Sequence, residues 1–294
     1  MKNADIHTLY NSELFSIKDY LCKEQCGSVS DIEIDNNYSI SFFRKGSFEY
    51  KFNNNLHDCF NGIILFGNPN DEYIIKHNYH IPDQCTNIYV SKEILEEAAQ
   101  TYFNIRQKKL FFNNISKPFK FPFTTVSSNP SFDYLHGLVY NLTSENPGKD
   151  KLKLDSLLVH LIDEFFAYFA QAKKGTAQLK IDRKLKDLHL ETIERGKNFI
   201  IENFREDISL SAIASNAYVS PYHFSRIFRQ FTNASPYNYL LEVRLKHAML
   251  LLKNTSLYIT EICYESGFNR LEHFIATFTR RFGISPLKFR KRLQ

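Results

Sequence analysis

Along residues 1–125 apolar and polar side chains tend to alternate. Tyr38-Ser39-Ile40-Ser41-Phe42 and Phe48-Glu49-Tyr50-Lys51-Phe52 keep a period of two, the mark of strands with one buried face. Gly46 and Asn53-Asn54-Asn55 punctuate them. Ile63-Ile64-Leu65-Phe66 is a short apolar run that stops at the turn cluster Gly67-Asn68-Pro69-Asn70. Short strands at this spacing predict a small antiparallel sandwich or barrel. Ser91 is placed to cap a helix through Glu93–Gln100.

After about Asp133 the period changes. Leu154, Leu158, Leu161, Phe165 and Tyr168 recur at spacings of 4, 3, 4 and 3, a helical stripe that keeps a heptad rhythm. Leu157, Ile162, Phe166 and Phe169 widen it. Such a helix buries more than one side. Two uses stay open: packing within its own domain, or dimerisation through those five stripe residues. The polar segment Gln171–Ala177 reads as a linker.

The last third repeats itself. Leu210, Ile213 and Ala214 match Ile259, Ile262 and Cys263 at an offset of 49. Phe224, Phe228, Ser235, Pro236 and Tyr239 match Phe274, Phe278, Ser285, Pro286 and Phe289 at an offset of 50. One residue inserted near Asn269-Arg270 accounts for the change. Each copy reads as a short helix, a tight turn and a second helix. Ser220-Pro221 opens the second helix of the first copy, because Ser accepts a backbone N–H and Pro needs no donor at the first helical position. Asn233 and Gly283 follow the helix ends, where a left-handed residue is wanted. In the first helices Leu210, Ile213 and Ala214 are expected inside. Between the copies, Pro236 to Leu252 predicts a helix of about 24 Å. A rigid spacer of that size can hold two helices about one DNA turn apart, roughly 34 Å.

The combined run is specific. Ile208-Ser-Leu-Ser-Ala-Ile-Ala, Val219-Ser-Pro-Tyr-His-Phe-Ser-Arg-Ile-Phe-Arg, Arg244-Leu-Lys-His-Ala-Met and Phe282-Gly-Ile-Ser-Pro stand in order, with Ile259-Thr-Glu-Ile-Cys and Gly267-Phe between the last two. Over about residues 190–292 the chain resembles the AraC/XylS family of bacterial transcription regulators. Residues 1–125 resemble, with far less specificity, the cupin-like sensor domain of such regulators. The resemblance implies an α+β chain of two domains. A cupin-like antiparallel β-barrel or sandwich with trailing helices precedes an all-α tandem helix-turn-helix domain. The expected boundaries are 1–125 for the β-rich part, 126–172 for a helical dimerisation or packing segment, 173–187 for a linker and 188–294 for the DNA-binding domain. The helix-turn-helix units are expected at about 208–232 and 257–282. The implied partners are double-stranded DNA and RNA polymerase, in a cytoplasmic setting. A small-molecule effector and a homodimer are left open.

The same resemblance assigns roles to particular side chains. Tyr222, Ser225, Arg226 and Arg229 share the helix face opposite Phe224 and Phe228 and are expected at base edges. A guanidinium such as that of Arg226 matches guanine O6 and N7 with two bonds. The offset of 50 puts Glu272, Ile275, Ala276 and Thr279 on the equivalent face of the second copy. That set departs from the polar and basic pattern of the family. Asn269, Arg270, Glu272 and His273, at the start of that helix, are the expected base contacts there. Arg280, Arg281, Lys288, Arg290, Lys291 and Arg292 read as contacts to the DNA backbone. The first copy is thus expected to discriminate bases more than the second.

Charge agrees with this division. The net charge is +5, yet 18 basic and 10 acidic side chains lie from Arg183 onward, against 19 and 22 before it. A basic module joined to a mildly acidic one suits a polyanionic partner. No apolar window long enough to span a membrane is present, and Met1-Lys2-Asn3-Ala4-Asp5 leads into no apolar signal core. The five Cys (22, 26, 59, 85 and 263) form no dense framework, as in a reducing compartment. Cys22 and Cys26 lack a second pair at zinc-finger spacing, so packed or free thiols are expected. His57 and the His77-Asn78-Tyr79-His80 segment are a poor ligand set for a barrel metalloenzyme. No Gly-x-Ser-x-Gly, Walker or Rossmann pattern occurs. No catalytic set, metal site or cofactor is therefore assigned. A cupin-like metalloenzyme fused to a DNA-binding module, and a regulator whose N-terminal domain only dimerises, are the competing readings.

Overall fold

The computed structural model describes residues 4–23, 26–77, 82–106, 119–145, 150–171 and 181–292. Residues 172–177 of the expected linker, and Asn78, Tyr79 and His80, lie outside them. The chain divides into two compact units, Met1–Leu190 and Glu191–Gln294. No helix among the described residues is long and apolar enough to cross a membrane.

Among the described residues the first unit holds ten strands: β1 (Ala4–Asn11), β2 (Phe15–Cys22), β3 (Glu33–Ile34), β4 (Tyr38–Lys45), β5 (Ser47–Phe52), β6 (Asn55–Phe60), β7 (Ile63–Gly67), β8 (Glu72–Lys76), β9 (Gln84–Val90) and β10 (Thr125–Ser127). They form two antiparallel sheets, ordered β1-β2-β9-β4-β7-β10 and β3-β8-β5-β6. Asn53 and Asn54 take left-handed backbone (φ 48° and 64°), which lets the β5–β6 hairpin turn tightly. Phe43, Leu65 and Cys85 of the first sheet pack against Phe48, Tyr50, Cys59 and Ile75 of the second, so the two sheets form a sandwich.

The alternation in β4 has an unexpected meaning. Ser39 and Ser41 do not face solvent; both are buried and line a cavity between the sheets. Tyr38, Ile40 and Phe42 point the other way, into an aromatic layer under helices. Those helices are α1 (Lys92–Arg106), capped by Ser91, α2 (Pro130–Glu145) and α3 (Lys151–Gln171). Phe42 stacks on His136 of α2 at 4.4 Å, and Phe66 of β7 meets Phe165 and Phe169 of α3 at 5.1 and 5.4 Å.

This packing accounts for the α3 stripe within the chain. Leu154, Leu158, Leu161 and Phe165 are buried by the chain itself, and Tyr168 is half-buried with its ring on Phe132. Rings on the outer face of the sheet cover Phe165 and Phe169 of the stripe. Helices α2 and α3 therefore cover one face of the sandwich.

Helix α4 (Arg183–Asn203) begins inside the expected linker, and the unit boundary falls within it. The second unit continues with α5 (Leu210–Asn216), α6 (Pro221–Thr232), α7 (Pro236–Asn254), α8 (Ile259–Glu265), α9 (Leu271–Phe282) and α10 (Pro286–Lys291). Gly196 in α4 admits Phe224: a Cβ there would meet the Phe224 ring at 2.4 Å. Leu245, Ala248, Leu252, Ile262, Cys263, Phe268, Phe274 and Phe278 build the core of the second copy. Leu210, expected inside, is 40% exposed, because α5 buries only Ile213 and Ala214.

Candidate nucleic-acid interface

The two helix-turn-helix units, α5–α6 and α8–α9, share one backbone plan. In the first turn Ala217, Tyr218 and Val219 donate to the carbonyls of Ile213, Ser215 and Ala214. In the second, Ser266, Gly267 and Phe268 donate to Ile262, Tyr264 and Cys263, the same pattern 49 residues on. Tyr218 and Gly267 both sit in left-handed backbone, at φ 58° and 77°. Asn269 is the inserted residue. Asn233 (φ 54°) and Gly283 (φ 75°) end α6 and α9 as expected.

The caps differ. Ser209 and Ser220 accept the N–H groups of Ala212 and His223, at 3.1 and 3.3 Å, at the starts of α5 and α6. Tyr258 and Arg270 stand at the equivalent places in the second unit. Arg270 makes no side-chain cap, while the Tyr258 N–H donates to Glu261 at 2.6 Å. Ser235 and Ser285 cap α7 and α10 alike.

Helix α6 buries Phe224, Ile227, Phe228 and Phe231. Its opposite face presents Tyr222, 81% exposed, with exposed Arg226 and Arg229 and half-buried Ser225. These four, with Gln230 and Asn233, line an open groove. Gln230 and Asn233 were not among the expected contacts, although positions eight and eleven after Tyr222 fall on the same helical face. Neither Arg226 nor Arg229 forms an ion pair among the described residues, so both guanidinium groups are available to a ligand.

Helix α9 presents Glu272, His273, Ile275 and Ala276, with Thr279 half-buried. Asn269 and Arg270 are exposed just before it, and the His273 ring meets the edge of Phe268 at 5.8 Å. Of the six expected backbone contacts, Arg280, Arg281, Lys288, Lys291 and Arg292 are exposed. Two of the six have neighbours of note. Arg281 Nε donates to Glu242 of α7 at 2.8 Å, so part of its guanidinium is already engaged. Arg290 is half-buried, and its Nε and Nη2 are out of solvent contact.

Arg244 of the spacer α7 ties these parts together. Its Nε donates to the Phe204 carbonyl and its Nη2 to that of Glu206, both at 2.7 Å. Burial lowers its pKa. A Cβ on Gly267 would meet the same Phe204 oxygen at 2.5 Å and Arg244 Nε at 2.9 Å. The turn of the second unit therefore rests on the clamp that holds α7.

In the first unit, the cavity between the sheets measures about 130 Å³. Ser39, Ser41, Tyr20, Tyr50, Tyr73 and Tyr89 line it with Glu33 and Asp35. The Tyr20 and Tyr89 hydroxyls lie 2.7 Å apart. Burial, then the Asp71 and Glu33 charges, push the Asp35 carboxyl up to about 7. His57 faces Thr125 Oγ1 at 3.1 Å, and burial lowers its pKa. His77 lies with Cys22 and Asp83 instead, a grouping that spacing alone did not reveal.

Residues 213–292 match the family model described as a helix-turn-helix domain. A Staphylococcus aureus protein described as an uncharacterized HTH-type transcriptional regulator is 23% identical over 287 residues, covering 93% of this chain and 34% of that relative. The Msm operon regulatory protein of Streptococcus mutans is 31% identical over 153 residues, 52% of this chain and 51% of that protein. The chain thus spans about a third to a half of the length of these relatives. Among solved structures, apo ToxT from Vibrio cholerae is 12% identical with a TM-score of 0.42, over 97% of this chain and 99% of ToxT. The tandem helix-turn-helix geometry, the sequence run that carries it and the matching family model together make the C-terminal part of this chain an AraC-type helix-turn-helix domain.

Proposed function

We propose that the protein is a sequence-specific regulator of transcription that binds double-stranded DNA through α6 and α9, with α6 reading more of the base sequence. The observation that carries this reading is the face of Tyr222, Ser225, Arg226 and Arg229, whose two exposed guanidinium groups form no ion pair among the described residues. Arg226 is suited to guanine O6 and N7, and Tyr222 to a thymine methyl or a phosphate. On α9 Ala276 offers no hydrogen bond and Glu272 repels phosphates, so Asn269, Arg270 and His273 carry the contacts there. Arg280, Lys288, Lys291 and Arg292 add affinity without sequence information. The spacer α7, at 19 residues, is about 28 Å long and suits two adjacent major-groove sites on one face of the duplex. RNA polymerase is the partner through which such binding acts on transcription.

The cavity between the sheets is our candidate effector site. Hydroxyls and an Asp35 carboxyl that burial raises to about 7 suit a small polar molecule that is neutral or cationic. Footprinting on DNA from the protein's own genomic neighbourhood tests the DNA reading. A protected stretch covering two adjacent turns on one face is expected; protection that ignores sequence at every salt concentration overturns it. Thermal melts with candidate small polar molecules test the effector, since a ligand of the folded state raises apparent stability.

A further inference from the structure

Three strand ends meet at one end of the sandwich. Cys22 closes β2, His77 follows β8 and Asp83 precedes β9. The backbone holds them there: the Cys22 N–H donates to the Asp83 carbonyl at 3.0 Å, and the Gly27 N–H to the His77 carbonyl at 2.6 Å. All three side chains are buried, with Asp83 only 2% exposed. Cys22 Sγ lies 3.8 Å from His77 Nδ1 and 3.9 Å from Nε2. His77 Nδ1 lies 3.1 Å from Asp83 Oδ1. Yet Asp83 Oδ1, shut away from solvent, accepts no well-aligned hydrogen bond. A buried carboxylate oxygen in that condition costs free energy that a cation between the groups would remove.

We infer that Cys22, His77 and Asp83 form a binding site for a zinc-class divalent transition ion. Thiolate, imidazole and carboxylate together are the donor set of a borderline ion, and hard cations such as Mg²⁺ or Ca²⁺ take oxygen ligands instead. Around a tetrahedral Zn²⁺ with the usual bond lengths, sulfur and nitrogen sit about 3.6 Å apart and nitrogen and oxygen about 3.3 Å apart. The observed separations are near these values. A turn of the imidazole about its Cβ–Cγ bond points a ring nitrogen at the ion. Three protein donors leave one position for water or an exchangeable ligand. Thiolate and neutral imidazole are the forms that bind the ion, so metal affinity falls as the pH is lowered. Cys26, exposed four residues after Cys22, is outside the cluster. The reactive-thiol alternative fits poorly, because Cys22 is 5% exposed and does not line the cavity between the sheets.

The test uses the full chain, stripped with a chelator and titrated anaerobically with Co²⁺. One equivalent should bind with a thiolate-to-cobalt charge-transfer band, and Zn²⁺ should displace it and raise the melting temperature. Cys22→Ser should abolish the band, Asp83→Asn should weaken binding by at least about tenfold, and Cys26→Ser should change neither. Absence of the thiolate band at saturating Co²⁺ in the unmutated chain overturns the site, whatever the variants do. So does a band that survives Cys22→Ser, or one lost only in Cys26→Ser.

Discussion

The two helix-turn-helix units differ least where they are buried and most where they are exposed. Phe224 and Phe228 have the same role as Phe274 and Phe278, and the turn hydrogen bonds repeat one for one. The left-handed position holds an exposed Tyr218 in one unit and a crowded Gly267 in the other. The α6 face is polar and basic, while the α9 face has a carboxylate, an isoleucine and an alanine. Duplication preserved what packing demands and released what only a ligand would enforce.

The largest expected effect breaks that symmetry at the turns. Gly267→Ala adds a Cβ against the Phe204 carbonyl in left-handed backbone and should destabilise the second unit by about 2–4 kcal/mol. Tyr218→Gly, at the equivalent place, relieves the same backbone cost and loses only the cation–ring contact with Arg195 at 4.7 Å. It should leave stability within about 1 kcal/mol of the parent. Denaturant melts of both variants decide the matter, and equal losses would erase the distinction between the turns.

Next comes recognition. Arg226→Ala should weaken binding to the preferred site by about 1–3 kcal/mol and relax preference at one base pair. Glu272→Ala should leave sequence preference unchanged and strengthen binding slightly on every sequence. Competition binding with single-base variants separates the two, and a uniform loss for Arg226→Ala would remove its base-reading role.

A smaller effect lies at the caps. Ser220→Ala removes a side-chain acceptor at the start of α6 and should cost about 1 kcal/mol of stability. Arg270→Ala, which removes no such bond, should cost no stability while weakening DNA binding. Smallest of all, Lys291→Ala should reduce affinity evenly and lower the salt slope by about 1. An unchanged slope would place Lys291 away from phosphate.

Much of this was legible from spacing. The repeat, its caps at Ser220, Ser235 and Ser285, and the left-handed Asn233 and Gly283 follow from local chemistry that a few neighbouring residues determine. The strands around Tyr38, Phe48 and Ile63 were legible for the same reason. The α3 stripe was not, because periodicity says that a face is buried and not by what. Arg281 shows the same limit: spacing near a helix end does not reveal that Glu242, 39 residues earlier, meets its guanidinium. Cys22, His77 and Asp83 are spread over 62 positions, and only strand pairing brings them together.

Strand β4 has no solvent face. A slip of its register by one residue would push Ser39 and Ser41 toward the rings of Phe119, Phe121 and Phe165 and swing Tyr38, Ile40 and Phe42 into the hydroxyl-lined cavity. Mispairing would be punished twice, once by stranded hydroxyls and once by apolar rings among polar groups. An ordinary half-buried strand is proofread from one side only. Here the folding chain finds its alignment by two independent criteria, and the serines that keep the cavity polar are also what forbids the neighbouring register.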